Sequence, residues 1–139
     1  MNSDNDVTVF EWPVRVYYED TDSGGVVYHA RYLHFLERAR TEWFRAYGFS
    51  QIELAQQFKR MFVVSSMQLD FIKPAKLDDN LIVSSVVRDI SRIKMVFEQS
   101  VLRERDQCVL FSGRSVVVSV NNETFLPGRM PKEVLDKIL

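Results

Sequence analysis

One cysteine, Cys108, stands in a chain of 139 residues. A lone thiol excludes an internal disulfide, and only two histidines, His29 and His34, accompany it. On a helix their five-residue spacing turns them about 140° apart, so they do not share an ion and a zinc site is not expected. No uninterrupted apolar run is longer than the four residues 61–64, far short of the roughly 20 that span a bilayer. The opening MNSDNDVTVF is acidic and polar and lacks the basic and apolar stretches of a secretory signal. Net charge is −1, so no bulk field favours nucleic acid or an anionic membrane. The serine-hydrolase pattern G-x-S-x-G is missing: Gly48-Phe49-Ser50-Gln51-Ile52 and Gly113-Arg114-Ser115-Val116-Val117 both lack the closing glycine. There is no P-loop and no dinucleotide fingerprint. These absences point to a soluble, cytoplasmic domain.

What is present is a core. Apolar residues make up 46% of the chain, with ten Phe, five Tyr and two Trp, which argues against disorder and for one domain over 1–139. Residues 1–8 read as a loose arm. The stretch 11–18, rich in Val, Tyr and Trp, reads as a strand, and 19–27 (EDTDSGGVV) carries a dense turn signal. The period then changes. From Tyr28 to Tyr47, apolar residues recur three or four apart at Tyr28, Tyr32, Phe35, Leu36, Ala39, Trp43, Ala46 and Tyr47, the mark of one broad helical face. Gly48 is a natural stop. Ser50-x-x-Glu53 forms a capping box for a second, short helix, with Phe49 and Leu54 placed as a hydrophobic staple. Beyond residue 60 the chain reads as strands over 61–73, 81–88, 94–104 and 108–120, joined by short turns that favour antiparallel pairing. Residues 131–138 read as a short helix with Pro131 near its start. One strand, one long apolar helix and four more strands predict an α+β fold in which a five-stranded antiparallel sheet curls around the helix.

Chemistry is concentrated in the loop YEDTDSGGVVYHARY and the helix after it. Helix N-termini expose N–H groups and the positive end of the macrodipole, usually capped by Ser, Thr, Asp or Asn. Here Val26, Val27 and Tyr28 lead in, and none of them caps, so the donors around residues 28–30 are left for a ligand such as an oxyanion. Asp22 stands just before them, and Gly24 and Gly25 let the backbone bend and a substrate approach closely. A carboxylate beside an oxyanion hole attacks a carbonyl or activates water, and with no metal or strong base the leaving group must be a good one, such as a thiolate. The bland alternative is that Asp22 simply caps a turn. Glu37, amid the apolar helix face, touches the site or is a buried, paired carboxylate.

The stretch VRVYYEDTDSGGVVYHARYLHFLERARTEWF, with Phe10-Glu11-Trp12-Pro13-Val14-Arg15 before it and Ala75-Lys76-Leu77-Asp78-Asp79 mid-chain, closely resembles the 4-hydroxybenzoyl-CoA thioesterase family of hotdog proteins. More narrowly it is similar to the tol-pal system-associated acyl-CoA thioesterases of Gram-negative bacteria. The resemblance implies the hotdog fold and hydrolysis of short-chain, hydroxylated or longer acyl-CoA. It implies Asp22 as the catalytic residue and Asp20 as its support. The oxyanion donor falls at the backbone N–H of His29, whose side chain orients substrate or shares proton transfer. Gly25 and Tyr28 would flank the substrate. Arg92 and Lys94 match, thinly, a basic cluster that holds the nucleotide of coenzyme A. A homodimer or homotetramer is implied, with the site at the dimer interface, acyl carrier protein as a further partner and no cofactor. The alternative is a non-catalytic acyl or acyl-carrier-protein binding module of the cell-envelope Tol-Pal system.

Overall fold

The computed structural model describes residues 8–139. All but one residue of the arm expected over 1–8 lies outside that range. The elements run β1 (Phe10–Arg15), α1 (Arg31–Ala46), α2 (Gln51–Phe58), β2 (Arg60–Phe71), β3 (Asn80–Arg88), β4 (Lys94–Arg103), β5 (Cys108–Asn121) and α3 (Lys132–Ile138), with a 3₁₀ turn at Tyr18–Asp20. The strands form one sheet in the order β1-β3-β4-β5-β2, every pairing antiparallel. The expected α+β architecture is the one observed: a five-stranded antiparallel sheet with α1 laid across one face.

Local chemistry explains each piece. Pro13 sits in β1, where only one side of the strand pairs, so its missing N–H breaks no ladder. Along α1, Tyr32, Phe35, Leu36, Ala39, Trp43 and Phe44 are buried, which is the stripe the 3.6-residue period demands. Gly48, at φ +93°, ends the helix region in a conformation that favours glycine. Ser50 caps α2 by accepting from the Glu53 N–H at 3.1 Å. The box closes differently from the expected form, because the Ser50 hydroxyl donates to the Glu53 carboxylate at 3.4 Å. Phe49 and Leu54 are both buried, as a staple requires.

The core has two halves. The N-terminal half of α1 packs Tyr32, Phe35 and Leu36 against Leu81, Val83, Val101, Leu110 and Phe111. The C-terminal half packs Trp43 and Phe44 against Met95, Phe97 and Val117, closed by Val134 and Ile138 of α3. Between them lies a buried polar seam. The Gln99 amide donates to the Leu36 carbonyl at 3.1 Å and to the Ser85 hydroxyl at 3.0 Å, and accepts from Arg40 Nη1 at 3.1 Å. These bonds fix the depth and rotation of α1 over the sheet, because a buried amide left unpaired costs about 1–3 kcal/mol.

Because β2 and β3 are three places apart in the sheet, their connection must cross its end. Residues 72–79 make that crossing and become a platform for the loop between β1 and α1. The Val27 N–H donates to the Ala75 carbonyl at 2.8 Å, Val26 bridges Lys76, and the Val16 N–H donates to the Asp79 carbonyl at 2.9 Å. Ala75 is fully buried under this contact.

Candidate active site

Asp20 is the anchor of the loop. Its side chain is almost wholly buried, with 6% of its surface exposed, and its Oδ2 accepts from the Tyr17 N–H at 2.9 Å. Its Oδ1 lies 3.1 Å from Arg31 Nε, an ion pair whose N–H is not aimed well enough to count as a hydrogen bond. Arg31 is the first residue of α1, where a cation opposes the helix dipole, so the Asp20 and Glu19 carboxylates offset an unfavourable placement. Arg31 is a part of the site that the sequence pattern missed.

Asp22 heads a tight turn. Its N–H donates to the Val26 carbonyl at 2.9 Å, and its carbonyl accepts from the Gly25 N–H at 3.1 Å. Gly25 takes φ +79°, the left-handed region that makes glycine the natural occupant. Asp22 Oδ1 accepts from the Gly24 N–H at 2.8 Å, which is the local turn contact of the bland alternative. That bond engages one oxygen. The other has no hydrogen-bond partner among the described residues, and the side chain is exposed.

The helix begins three residues later than its apolar period suggested, at Arg31. Residues 28–30 form the turn before it. The Tyr28 N–H is taken, donating to the Asp20 carbonyl at 2.8 Å, so Tyr28 does not offer a backbone donor. The Tyr28 carbonyl accepts from the Arg31 N–H at 2.8 Å. Among the described residues the amides of His29 and Ala30 have no acceptor, and Ala30, the N-cap, supplies no capping side chain. Two of the three expected donors are therefore open.

A cavity of about 230 Å³ adjoins this turn, lined by Val27, His29, Tyr32, Phe71, Ile72, Lys73 and Pro74. Its walls are rings. Tyr32 stacks on Phe111 at 4.7 Å, Phe71 meets Phe111 edge-on at 5.0 Å, and His29 lies 4.4 Å from the Tyr28 ring and 6.4 Å from that of Phe71. The Tyr32 hydroxyl accepts from the Ala75 N–H at 3.1 Å, and burial pushes its phenol above the ordinary value. The walls from residues 71–74 were not evident in the sequence, because they arrive from the end of β2 and only the fold brings them beside His29.

Other expected residues lie elsewhere. Asp22 does not line this cavity. Arg92 is exposed on the turn before β4, and Lys94 is exposed as the first residue of β4, paired with Val118. The rings beside His29 pair at Phe111, seven residues along β5, so within one chain the basic residues stand about 23 Å from the site along the strands. Glu37 is exposed and forms no salt bridge among the described residues, contrary to a buried pair. His34 is exposed. Among the described residues no cluster of side chains suits a metal ion, and no helix is long and apolar enough to cross a membrane.

A family model described as Thioesterase superfamily matches residues 24–110, which takes in the glycines of the turn, α1, the cavity-lining residues, the strands β2, β3 and β4 and the start of β5. The chain belongs to that superfamily. It is 46% identical over 125 residues to the acyl-CoA thioesterase YbgC of Haemophilus influenzae, covering 90% of each chain. It is 41% identical over 128 residues to the acyl-CoA thioester hydrolase YbgC of an Escherichia coli O6:H1 strain, covering 92% of this chain and 94% of that one. The crystal structure of a probable thioesterase from Bartonella henselae superposes with a TM-score of 0.84 at 34% identity, over 89% of this chain and all of that one. The hotdog architecture implied by the family resemblance is thus the architecture found.

Proposed function

We propose that this protein hydrolyses acyl-CoA thioesters, with Asp22 as the reacting carboxylate and the His29 amide as the oxyanion donor. The observation that carries this reading is the open amide pair ahead of α1, beside an aromatic cavity and one turn of loop away from a carboxylate with a free oxygen. The names of the relatives, acyl-CoA thioesterase and acyl-CoA thioester hydrolase, support the same chemistry.

The acyl group enters the cavity, its carbonyl oxygen toward the His29 N–H. As the carbonyl carbon becomes tetrahedral, negative charge grows on that oxygen, and a pre-aimed donor there is worth about 3–4 kcal/mol. Asp22 either attacks the carbon, giving an acyl-enzyme anhydride that water opens, or takes a proton from the attacking water. Both routes expel the thiolate of coenzyme A and leave the free acid. Gly25 holds the loop in the turn that presents Asp22, and Tyr28 and the His29 ring flank the acyl entrance.

The active unit is a dimer formed along β2. This strand has 12 residues, and among the described residues it pairs only with β5 and leaves its outer edge unpaired. Long free edges of this kind invite pairing with another strand. A two-fold copy would pair β2 with β2 antiparallel. The Arg60 end of the second copy would then lie beside the Phe71 end of the first. That operation carries Arg92 and Lys94 of the second copy from the far end of the sheet toward the first copy's site, where they can meet the phosphates of coenzyme A.

Release of free thiol from a panel of acyl-CoA and acyl-carrier-protein thioesters tests the reading. Turnover on at least one acyl-CoA is expected. Tight binding of an acyl group or of acyl carrier protein without turnover on any thioester would instead support the non-catalytic module of the envelope.

A further inference from the structure

Just past the middle of α1, Arg40 is a cation that forms no salt bridge among the described residues. It is half-buried, and among the described residues its side chain makes one hydrogen bond, to the neutral Gln99 carbonyl oxygen. Burial pushes the guanidinium below its ordinary value, and Glu37 acts in the opposite sense without making an ion pair. A half-buried guanidinium with most of its five donors unclaimed is costly unless a carboxylate meets it. Its remaining donors face a groove of about 290 Å³ in which Glu37 and Arg40 of α1 meet Phe44, Phe62, Val64 and Val117. The groove runs along β2, on the side of the helix turned to the free edge. Leu33 and Val64 on that side are exposed.

We infer that Glu37 and Arg40 form a reciprocal pair of salt bridges across a two-fold interface between two copies of this chain. The inference rests on the edge pairing along β2 proposed above and names what closes it. An axis perpendicular to the sheet keeps both helices on the same face and sets them antiparallel. Glu37, Arg40 and Thr41 sit level with residues 62–64 of β2, and Leu36, one turn earlier, packs at Gly113, whose strand partner is Leu69. The 37–41 segment therefore flanks β2 between residues 62 and 69, the stretch that holds the strand's midpoint, where the axis of a β2 pair would pass. Two antiparallel helices crossing there place position 37 of each opposite position 40 of the other. The three-residue spacing of opposite charges is self-complementary under that operation and under no parallel one. The exposed apolar side chains beside it would be covered in the same contact, and each Arg40 would gain a carboxylate that it does not meet among the described residues of its own chain.

The test is charge reversal in the full-length protein, with oligomeric state read by sedimentation. Wild type is expected to be a dimer. Glu37→Arg and Arg40→Glu each place like charges opposite one another twice, and each is expected to weaken the dimer on the order of 100-fold or more. An equimolar mixture of the two variants is expected to form a heterodimer, because both cross-pairs are then opposite in sign. Rescue by mixing cannot come from a pair within one helix, since neither variant carries one. Should Arg40→Glu fail to fold, Arg40→Gln takes its place, and its heterodimer with Glu37→Arg is expected to be tighter than the Glu37→Arg homodimer. Variants that dimerise as tightly as wild type, or that stay monomeric when mixed, overturn the cross-pair and leave the edge pairing standing. A monomeric wild type overturns the edge pairing itself.

Discussion

Replacing Asp20 by alanine should cripple the loop from outside the chemistry, and the size of the effect follows from two contacts. The first is the bond from the Tyr17 N–H to Oδ2 at 2.9 Å, at a carboxylate with 6% of its side chain exposed. Hydrogen bonds to charged groups are worth about 1.5–3 kcal/mol. The second is the 3.1 Å approach to Arg31, whose side chain is 25% exposed and whose other carboxylate, Glu19, is on the surface at 3.6 Å. Solvent screening limits that pair to about 1 kcal/mol. Together the loss is about 2–4 kcal/mol. At about 3–4 °C per kcal/mol for a chain of this size, Tm should fall by about 6–15 °C. Asp20→Asn keeps an acceptor for the Tyr17 N–H and gives up the charge, so it should lose about a third as much. Calorimetric melts of the three proteins, with thioester turnover measured well below each Tm, make the comparison. An alanine variant melting within about 2 °C of wild type, or an asparagine variant as damaged as the alanine one, would refute the anchoring role.

Three further outcomes are expected. Tyr32→Phe strands the buried Ala75 N–H and should cost about 1–3 kcal/mol by denaturant titration. Because the folded Tyr32 phenol lies above its unfolded value of 10.0, the unfolded chain ionises first, so its contribution to stability should decline as pH rises past about 10. Gly113→Ala puts a methyl 3.1 Å from Leu36 Cδ1 and 3.2 Å from Leu69 Cδ2; Leu36 is fully buried and has no room to yield, so a loss of about 1–3 kcal/mol is expected, seen as a lower urea midpoint. The exposed Asp106 carboxyl, held by Arg103 and by the Cys108 N–H, should titrate at about 2 by NMR, and its small stabilising contribution should be complete above about pH 4 and lost as pH falls from there through about 2.

Much of this was legible in the order of residues because much of it is local. The buried stripe of α1 follows its period, the Ser50 cap is a four-residue pattern, and short turns forced antiparallel strands. What the pattern misjudged depends on distant partners. The apolar spacing that marks α1 continues back to Tyr28, yet Val26 and Val27 are held by residues 75–76 and Tyr28 by the Asp20 carbonyl, so the helix cannot start until Arg31. The cavity walls at Phe71 and Ile72 lie more than 40 residues from His29 and show no periodic signature, partly because β2 is an edge strand with a bulge between Val64 and Ser66. Arg31 falls off the apolar face of α1, and only the folded loop brings Asp20 onto it. Arg92 and Lys94 match a motif that specifies a strand turn and says nothing of how far that turn lies from the cavity.

Thiol release from acyl-CoA by wild type, Asp22→Asn and Asp22→Glu, each checked for an unchanged melt, tests the reacting carboxylate most directly. Asparagine preserves the bond from the Gly24 N–H and removes the base or nucleophile. kcat should therefore fall by about 10²–10⁴ with little change in KM, and glutamate should retain a small fraction of activity. An Asp22→Asn enzyme that turns over within a few-fold of wild type would reduce Asp22 to a turn residue and move the reacting carboxylate elsewhere.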